Sequence, residues 1–318
     1  MVFHRDTPFL RPAIASVLGQ TLGDLELVLV DNGTGLTPEA LGELGRDRRV
    51  RWVRRPDNEG IPAGHNAGIA AAQGEFIALL DYDDVALPSR LERQVAKLRT
   101  EPRLGLVSSL AETIDESGRV TGREFSLVAE NAQRVYTQFA APVVTPAYSG
   151  RREVFLELPY RSEFPLTADF DFLARAAERF AMAAVPEVLL HYRQYGDQTT
   201  QRRSAAIQQS RCAVRLLTAR RRAGRPEDLA SLTDLGREAP KPAESCRRYA
   251  ERCLTEGFSI LASYHARRMV AFERSPHSLL AACALVGRAF GQARGRQRAT
   301  VASFFLRGPV RALHLQSG

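Results

Sequence analysis

EFIALLDYDDVALPSRLERQVAKL, residues 75–98, decides how the rest of the chain is read. FIALL (76–80) is a short apolar run of the kind that forms a buried strand. Three carboxylates, Asp81, Asp83 and Asp84, follow within four positions, and PSRLERQVAKLR (88–99) then predicts an amphipathic helix with Leu91, Val95 and Leu98 inward. A strand, an acidic loop and a helix in this order suggest a layered sheet with a charged rim.

The flanking sequence repeats the alternation. LELVLV (25–30), VRWV (50–53) and LGLVSSLAETI (104–114) read as strands. TPFLRPAIASVLGQT predicts a helix with Thr7 as N-cap and Pro8 at the first helical position. TPEALGEL (37–44) repeats that start, and PAGHNAGIAAAQ (62–73) is a helix of small residues. Near-continuous apolar strands separated by helices predict an α/β fold, a mostly parallel sheet covered on both faces. Ligands of such sheets sit beyond the carboxyl ends of the strands. Asp31, after LELVLV, and Asp81 to Asp84 share that edge.

Aspartates separated by one residue can share a hard cation, Mg²⁺ or Mn²⁺, which takes carboxylate, phosphate and water oxygens. Such an ion bridging a diphosphate would relieve their repulsion. The plainer alternative is that Asp83 or Asp84 caps the helix near Pro88 while the others are solvated.

Charge divides the chain. Residues 1–199 hold 22 Lys+Arg against 28 Asp+Glu, and residues 200–318 hold 22 against 8, so a front part of net −6 precedes a tail of +14. The tail reads as helices from about 204, with REAPKPAES (237–245) as the best linker. It lacks aromatic interleaving or a recognition motif, so no nucleic acid is expected; an anionic membrane surface or acceptor suits it as well as a solvated bundle does. Cys212, Cys246, Cys253 and Cys283 form no CxxC pair, and free thiols in a reducing cytoplasm are expected rather than a disulfide frame or a zinc site. SLLAACALVG (278–287) is too short for a bilayer span, and no signal peptide is read at the N-terminus. The expected location is cytoplasmic, with peripheral contact at the inner face of the membrane.

FLRPAIASVLGQTLGDLELVLVDNGT, NEGIPAGHNAGIAAAQGEFIALLDYDDVALPSRLERQVAKL, TADFDFLARAAERF and VPEVLLHYRQYGDQTT together resemble glycosyltransferase family 2, with its GT-A fold. The resemblance covers roughly residues 1–200, leaving 201–318 as a basic helical C-terminal region. It implies an inverting, metal-dependent glycosyltransferase. Its donor would be a nucleotide-diphospho-sugar, UDP- or dTDP-linked, and its acceptor a hydroxyl of a bacterial surface polysaccharide or lipid-linked glycan. By the same resemblance Asp31 would bond the nucleotide base, with Asn32 next to it, and Asp81 would contact ribose or assist the metal. Asp83 would ligate the ion, Asp84 would support the loop, and His65 and Asn66 of GHNAG would face nucleotide or phosphate. Asp169 would be the catalytic base, with Asp171 the weaker choice, and Tyr195 would stand at a late phosphate contact.

The chain departs from the family pattern at Asn32, where a second Asp is usual, and at His65, where Arg is usual. Ala168 replaces the Glu that often precedes the base, and Tyr195 a frequent His. His65 would make the diphosphate contact sensitive to pH near neutrality, whereas His191 is read as packing on its strand. MVFHRDTPFL leaves almost nothing of the family's first strand, and about five residues upstream of Met1 are expected. Two rivals are a catalytically impaired protein that binds nucleotide sugar or glycan, and a nucleotidyltransferase. The second lacks its usual Gly-rich basic loop, since HRDTP is not one.

Overall fold

The computed structural model of the protein describes residues 1–123, 144–198, 202–229, 242–293, 297–298 and 301. The described residues form two compact units that divide after Gln198.

The first unit opens with β1 (Val2–Phe3), α1 (Leu10–Leu18), β2 (Leu27–Asn32), a 3-10 turn (Glu39–Leu41), α2 (Glu43–Arg46), β3 (Val50–Arg55) and α3 (Ile61–Ala71). The three strands pair in parallel in the order β1-β2-β3, with Val30 beside Val2 on one side and Val53 on the other. Phe3, Leu10, Ile14, Leu27, Leu29 and Leu41 form the core beneath them. α3 must lie close to this sheet. A Cβ at Gly64 would stand 2.6 Å from a Val2 methyl, and one at Gly68 3.0 Å from a Val30 methyl. The small residues of that helix therefore answer a packing need.

α1 starts later than Thr7-Pro8 suggests. Phe9 is the N-cap, the Thr7 carbonyl accepts the Leu10 N–H at 3.2 Å, and the Thr7 hydroxyl has no partner. The buried face of the helix begins at Leu10, so Pro8 serves the preceding turn instead.

A second sheet is built from β4 (Phe76–Ala78), β5 (Val85–Ala86), β6 (Leu104–Ile114), β7 (Val120–Arg123), β8 (Ser149–Arg151) and β9 (Ala181–Arg193). Its order is β4-β8-β6-β9-β5, with β7 against β6. β6 and β9 run parallel; the other pairs are antiparallel. The α/β class holds, and the parallel pairing is confined to the first sheet and to β6–β9. The antiparallel partners β5 and β8 are two and three residues long, too short to show in an apolar pattern. α4 (Arg90–Thr100) covers β6 and β9 through Leu98, Leu104, Val107, Val185 and Leu189. A 3-10 turn (Thr145–Ala147), α5 (Arg152–Glu157) and α6 (Ala168–Arg179) complete the unit. A cavity of about 620 Å³ lies between β2 and β4, lined by Leu27, Val28, Val30, Ile69, Ile77 and Leu79.

The second unit contains α7 (Ser204–Arg222), α8 (Pro242–Thr255), α9 (Ser259–Phe272) and α10 (Pro276–Gln292). Residues 237–241 of the expected linker lie outside the described residues, and Pro242 already begins α8. Val214, Leu217, Tyr249, Ala262 and Ala266 are fully buried within it. Among the described residues no helix is long and apolar enough to cross a membrane.

Candidate active site

β4 ends at Ala78 because the next carbonyl leaves the ladder. Leu79 O accepts from the Arg90 guanidinium at 2.7 Å. Past it the chain alternates, and Tyr82 turns into the core of the first sheet while an oxygen from each of Asp81, Asp83 and Asp84 converges within 4.8 Å. The Tyr195 hydroxyl donates to Asp83 Oδ2 at 2.8 Å. The Arg193 backbone N–H donates to Asp84 Oδ1 at 2.8 Å, and the Arg193 Nε–H donates to the Asp83 carbonyl at 2.8 Å. Arg5 donates to the Tyr82 hydroxyl at 2.9 Å and to that of Tyr195 at 3.3 Å. The helix-capping alternative fails here. α4 begins at Arg90 behind Ser89, which caps nothing, and neither Asp83 nor Asp84 bonds its N-terminus.

Crowded carboxylates out of water resist ionisation. Burial first, then Asp83 and Asp169, pushes Asp81 up to about 7. Burial likewise raises Asp83, and burial with Asp81 and Asp83 holds Asp84 well above the ordinary range. Arg90, 1% exposed, lies under the loop, and burial draws its guanidinium down to about 10 against the pull of Asp84 and Asp81. Gln94, one turn on, bonds Arg90 and the Ala147 carbonyl. Arg90 beneath the loop, with Arg193 and Arg5 beside it, partly offsets the repulsion among the three carboxylates.

The site suits a hard divalent ion on two observations. Every donor in the cluster is an oxygen. Asp84 Oδ2 is also buried without a hydrogen-bond partner, which costs free energy unless a cation takes it.

Asp169 stands in the first turn of α6. Its Oδ2 accepts from the Thr145 hydroxyl at 2.8 Å and its Oδ1 from the Phe170 N–H at 2.7 Å. Its charge bears on both Asp81 and Tyr160, which puts Asp169 within electrostatic reach of the DYDD loop. Asp171 is of another kind: fully buried, it is bonded by Arg175 at 2.8 Å. His65 stacks on the Tyr160 ring at 5.0 Å, and burial lowers its imidazole to about 4. It is therefore neutral across the neutral range, and the pH sensitivity expected there is not supported. The Asn66 amide is engaged twice by the Tyr160 backbone, at 2.8 and 2.9 Å, and ties α3 to the segment before α6.

Asp31 and Asn32 end β2, both buried. Asp31 accepts from the Thr34 N–H and hydroxyl at 2.8 and 2.7 Å, closing the turn. Gly33 takes φ +89°, and a Cβ there would meet Asn58 N at 2.5 Å. Asn32 donates to Asn58 and to the Gly60 carbonyl and leaves its Oδ1 unpartnered. His191 lies on β9, paired with Val85, with Nε2 3.8 Å from Glu112. Sequence reasoning missed Arg90, Arg193, Arg5 and Thr145. For Arg90 a signal existed, since Arg90, Gln94 and Leu98 follow one helical stripe.

An α/β unit whose rim carries three clustered carboxylates over a buried arginine offers oxygen ligands to a divalent cation. Residues 1–158, half of the chain, match the family described as Glycosyl transferase family 2, and the chain belongs to that family. It is 27% identical over 197 residues to an uncharacterized glycosyltransferase of Methanocaldococcus jannaschii, covering 60% of this chain and 68% of that one. It is 40% identical over 85 residues to the succinoglycan biosynthesis protein ExoO of Rhizobium meliloti, covering 27% of this chain and 24% of that protein. The chain thus spans from a quarter to two thirds of the length of these relatives. Staphylococcus aureus TarS 1-349, in a crystal structure with UDP-GlcNAc, is similar in fold. Its TM-score is 0.54 and its identity 13%, over 99% of this chain and 89% of that one.

Proposed function

We propose that the first unit transfers a sugar, with inversion, from a UDP- or dTDP-sugar to a hydroxyl of a polysaccharide or lipid-linked glycan. The observation that carries this reading is the convergence of Asp81, Asp83 and Asp84 beside Asp169. TarS has been crystallised with UDP and with UDP-GlcNAc, and ExoO is named for polysaccharide synthesis, which supports the donor and acceptor classes.

Asp83 would hold Mg²⁺ or Mn²⁺ with Asp81 and Asp84 beside it; bound there, the ion would neutralise the diphosphate and favour its departure. Asp31, at the end of β2, would accept from the base. The Asp169 carboxylate keeps lone pairs beyond its two hydrogen bonds. It would take the proton of the acceptor hydroxyl as that oxygen bonds to the anomeric carbon and the bond to the β-phosphate oxygen breaks. The Thr145 hydroxyl fixes the orientation of the base. Attack from the side opposite the leaving group needs one base, which accounts for inversion.

The test is release of nucleoside diphosphate from a panel of nucleotide sugars with Mn²⁺, in wild type and in Asp169→Asn. Turnover that depends on Asp169 is expected. Turnover unchanged in the variant would remove Asp169 as the base, and no turnover in wild type with any donor would favour a binding protein.

A further inference from the structure

Outside the first unit, three helices each deliver one soft donor to a single buried point. Cys212 on α7, Cys246 on α8 and His265 on α9 place two sulfurs and a ring nitrogen within 4.8 Å of one another. Cys212 and Cys246 are each 1% exposed and His265 is 0% exposed. Neither His265 nitrogen has a hydrogen-bond partner. A buried neutral imidazole ordinarily donates from one nitrogen and accepts at the other. Here Tyr249 and Tyr264 pack their rings against it, with centroids 5.8 and 5.7 Å away, and offer apolar surface. The ring is held in place while its polar atoms go unused.

The sulfurs are poised as well. Arg215 Nη1 lies 3.9 Å from Cys212 Sγ. Two sulfurs and an imidazole nitrogen within 4.8 Å of one another make a gap suited to a soft cation. We infer that Cys212, Cys246 and His265 bind a zinc-class divalent ion that ties α7, α8 and α9 together.

Sulfur and imidazole donors select zinc over the magnesium or manganese suited to the DYDD oxygens. On binding, Zn²⁺ enters and each cysteine that ligates it releases its thiol proton to solvent. Tetrahedral zinc takes four donors. Cys253, fully buried and two turns from Cys246 on α8, is the nearest further thiol in the sequence of that helix, and its thiol is raised by burial and then by the Cys212 sulfur. The ligands are far apart in sequence and form no CxxC pair, so spacing gave no sign of them.

The full chain, reduced, loaded with Zn²⁺ and desalted, should retain equimolar zinc by elemental analysis. Co²⁺ in its place should give sulfur-to-cobalt charge-transfer absorption. Cys246→Ser and His265→Gln should each weaken zinc binding by at least about a hundredfold, since even indirect partners of a metal site are worth ten- to a hundredfold. Asp83→Asn should keep its zinc. A wild-type chain with no retained zinc and no cobalt–sulfur band overturns the inference, whether or not the variants fold. Zinc binding unchanged in both ligand variants overturns it too.

Discussion

Among its described residues the protein holds two three-residue donor clusters of opposite character. Asp81, Asp83 and Asp84 are neighbours in the chain, all oxygen, at the strand ends of the first unit. Cys212, Cys246 and His265 come from three helices of the second unit and offer sulfur and nitrogen in its interior. The acidic cluster is braced by Arg90, Arg193 and Tyr195 and still leaves Asp84 Oδ2 unpartnered. The sulfur cluster has Arg215 3.9 Å from Cys212 Sγ and two unpartnered ring nitrogens. A reacting site must shed and rebind its ligand, so hard oxygens at an open edge suit it. A helical bundle gains from a closed, soft, slowly exchanging clamp.

The largest effect should separate the clusters outright. Asp169→Asn should lower kcat by about 10²–10⁴-fold, the usual range for loss of a general base, with little change in donor KM. Asp83→Asn should abolish the Mn²⁺ requirement together with turnover, in steady-state assays across Mn²⁺ concentrations. Either variant retaining wild-type rates would mean that the oxygen cluster does not serve the reaction.

Arg90→Met should destabilise the chain by about 3–5 kcal/mol, because it removes a buried cation from beneath the carboxylates and leaves the Leu79 carbonyl without its donor. Saturating Mn²⁺ should recover part of that loss in denaturant titrations, since a metal can stand in for the guanidinium. No recovery would argue that the ion does not occupy this loop. Tyr195→Phe should cost less, about 1.5–3 kcal/mol, the range for a hydrogen bond to a charged group, by the same measurement.

The smallest effect is on pH. In the folded, metal-free chain Asp81 keeps its proton up to about 7, against 3.8 when unfolded, so its contribution to stability falls as pH rises between those values. His65 acts in the opposite sense. Its folded value of about 4 lies below the ordinary 6.5, so stability is lost as pH falls from 6.5 toward 4. Asp81→Asn should shrink the falling limb in denaturation curves taken across this range, leaving the part that Asp83 and Asp84 contribute. A wild-type slope in that variant would show that Asp81 is not the group involved.

Much of the first unit was legible because its signals are local. LGLVSSLAETI forms β6 over residues 104–114, as its apolar run requires, and DYDD lies where the strand ends. What escaped was the set of partners. Arg193 reaches Asp83 across 110 positions, and nothing around residue 193 marks it as a counter-ion. Thr7 failed as a cap because helix starts follow the buried face as well as the capping residue. Asn66 bonds the Tyr160 backbone and Asp171 bonds Arg175, partners that no local pattern around either residue names.

Taken alone, the sequence determined the alternation of strands and helices in the first unit and the acidic rim that follows β4, because periodicity and charge crowding are properties of adjacent residues. Only the tertiary structure decided which cations face that rim, how His65 is kept neutral, and that two cysteines meet a histidine in the helical unit. Those outcomes depend on burial and on distances between segments far apart in the chain, and no local pattern encodes either.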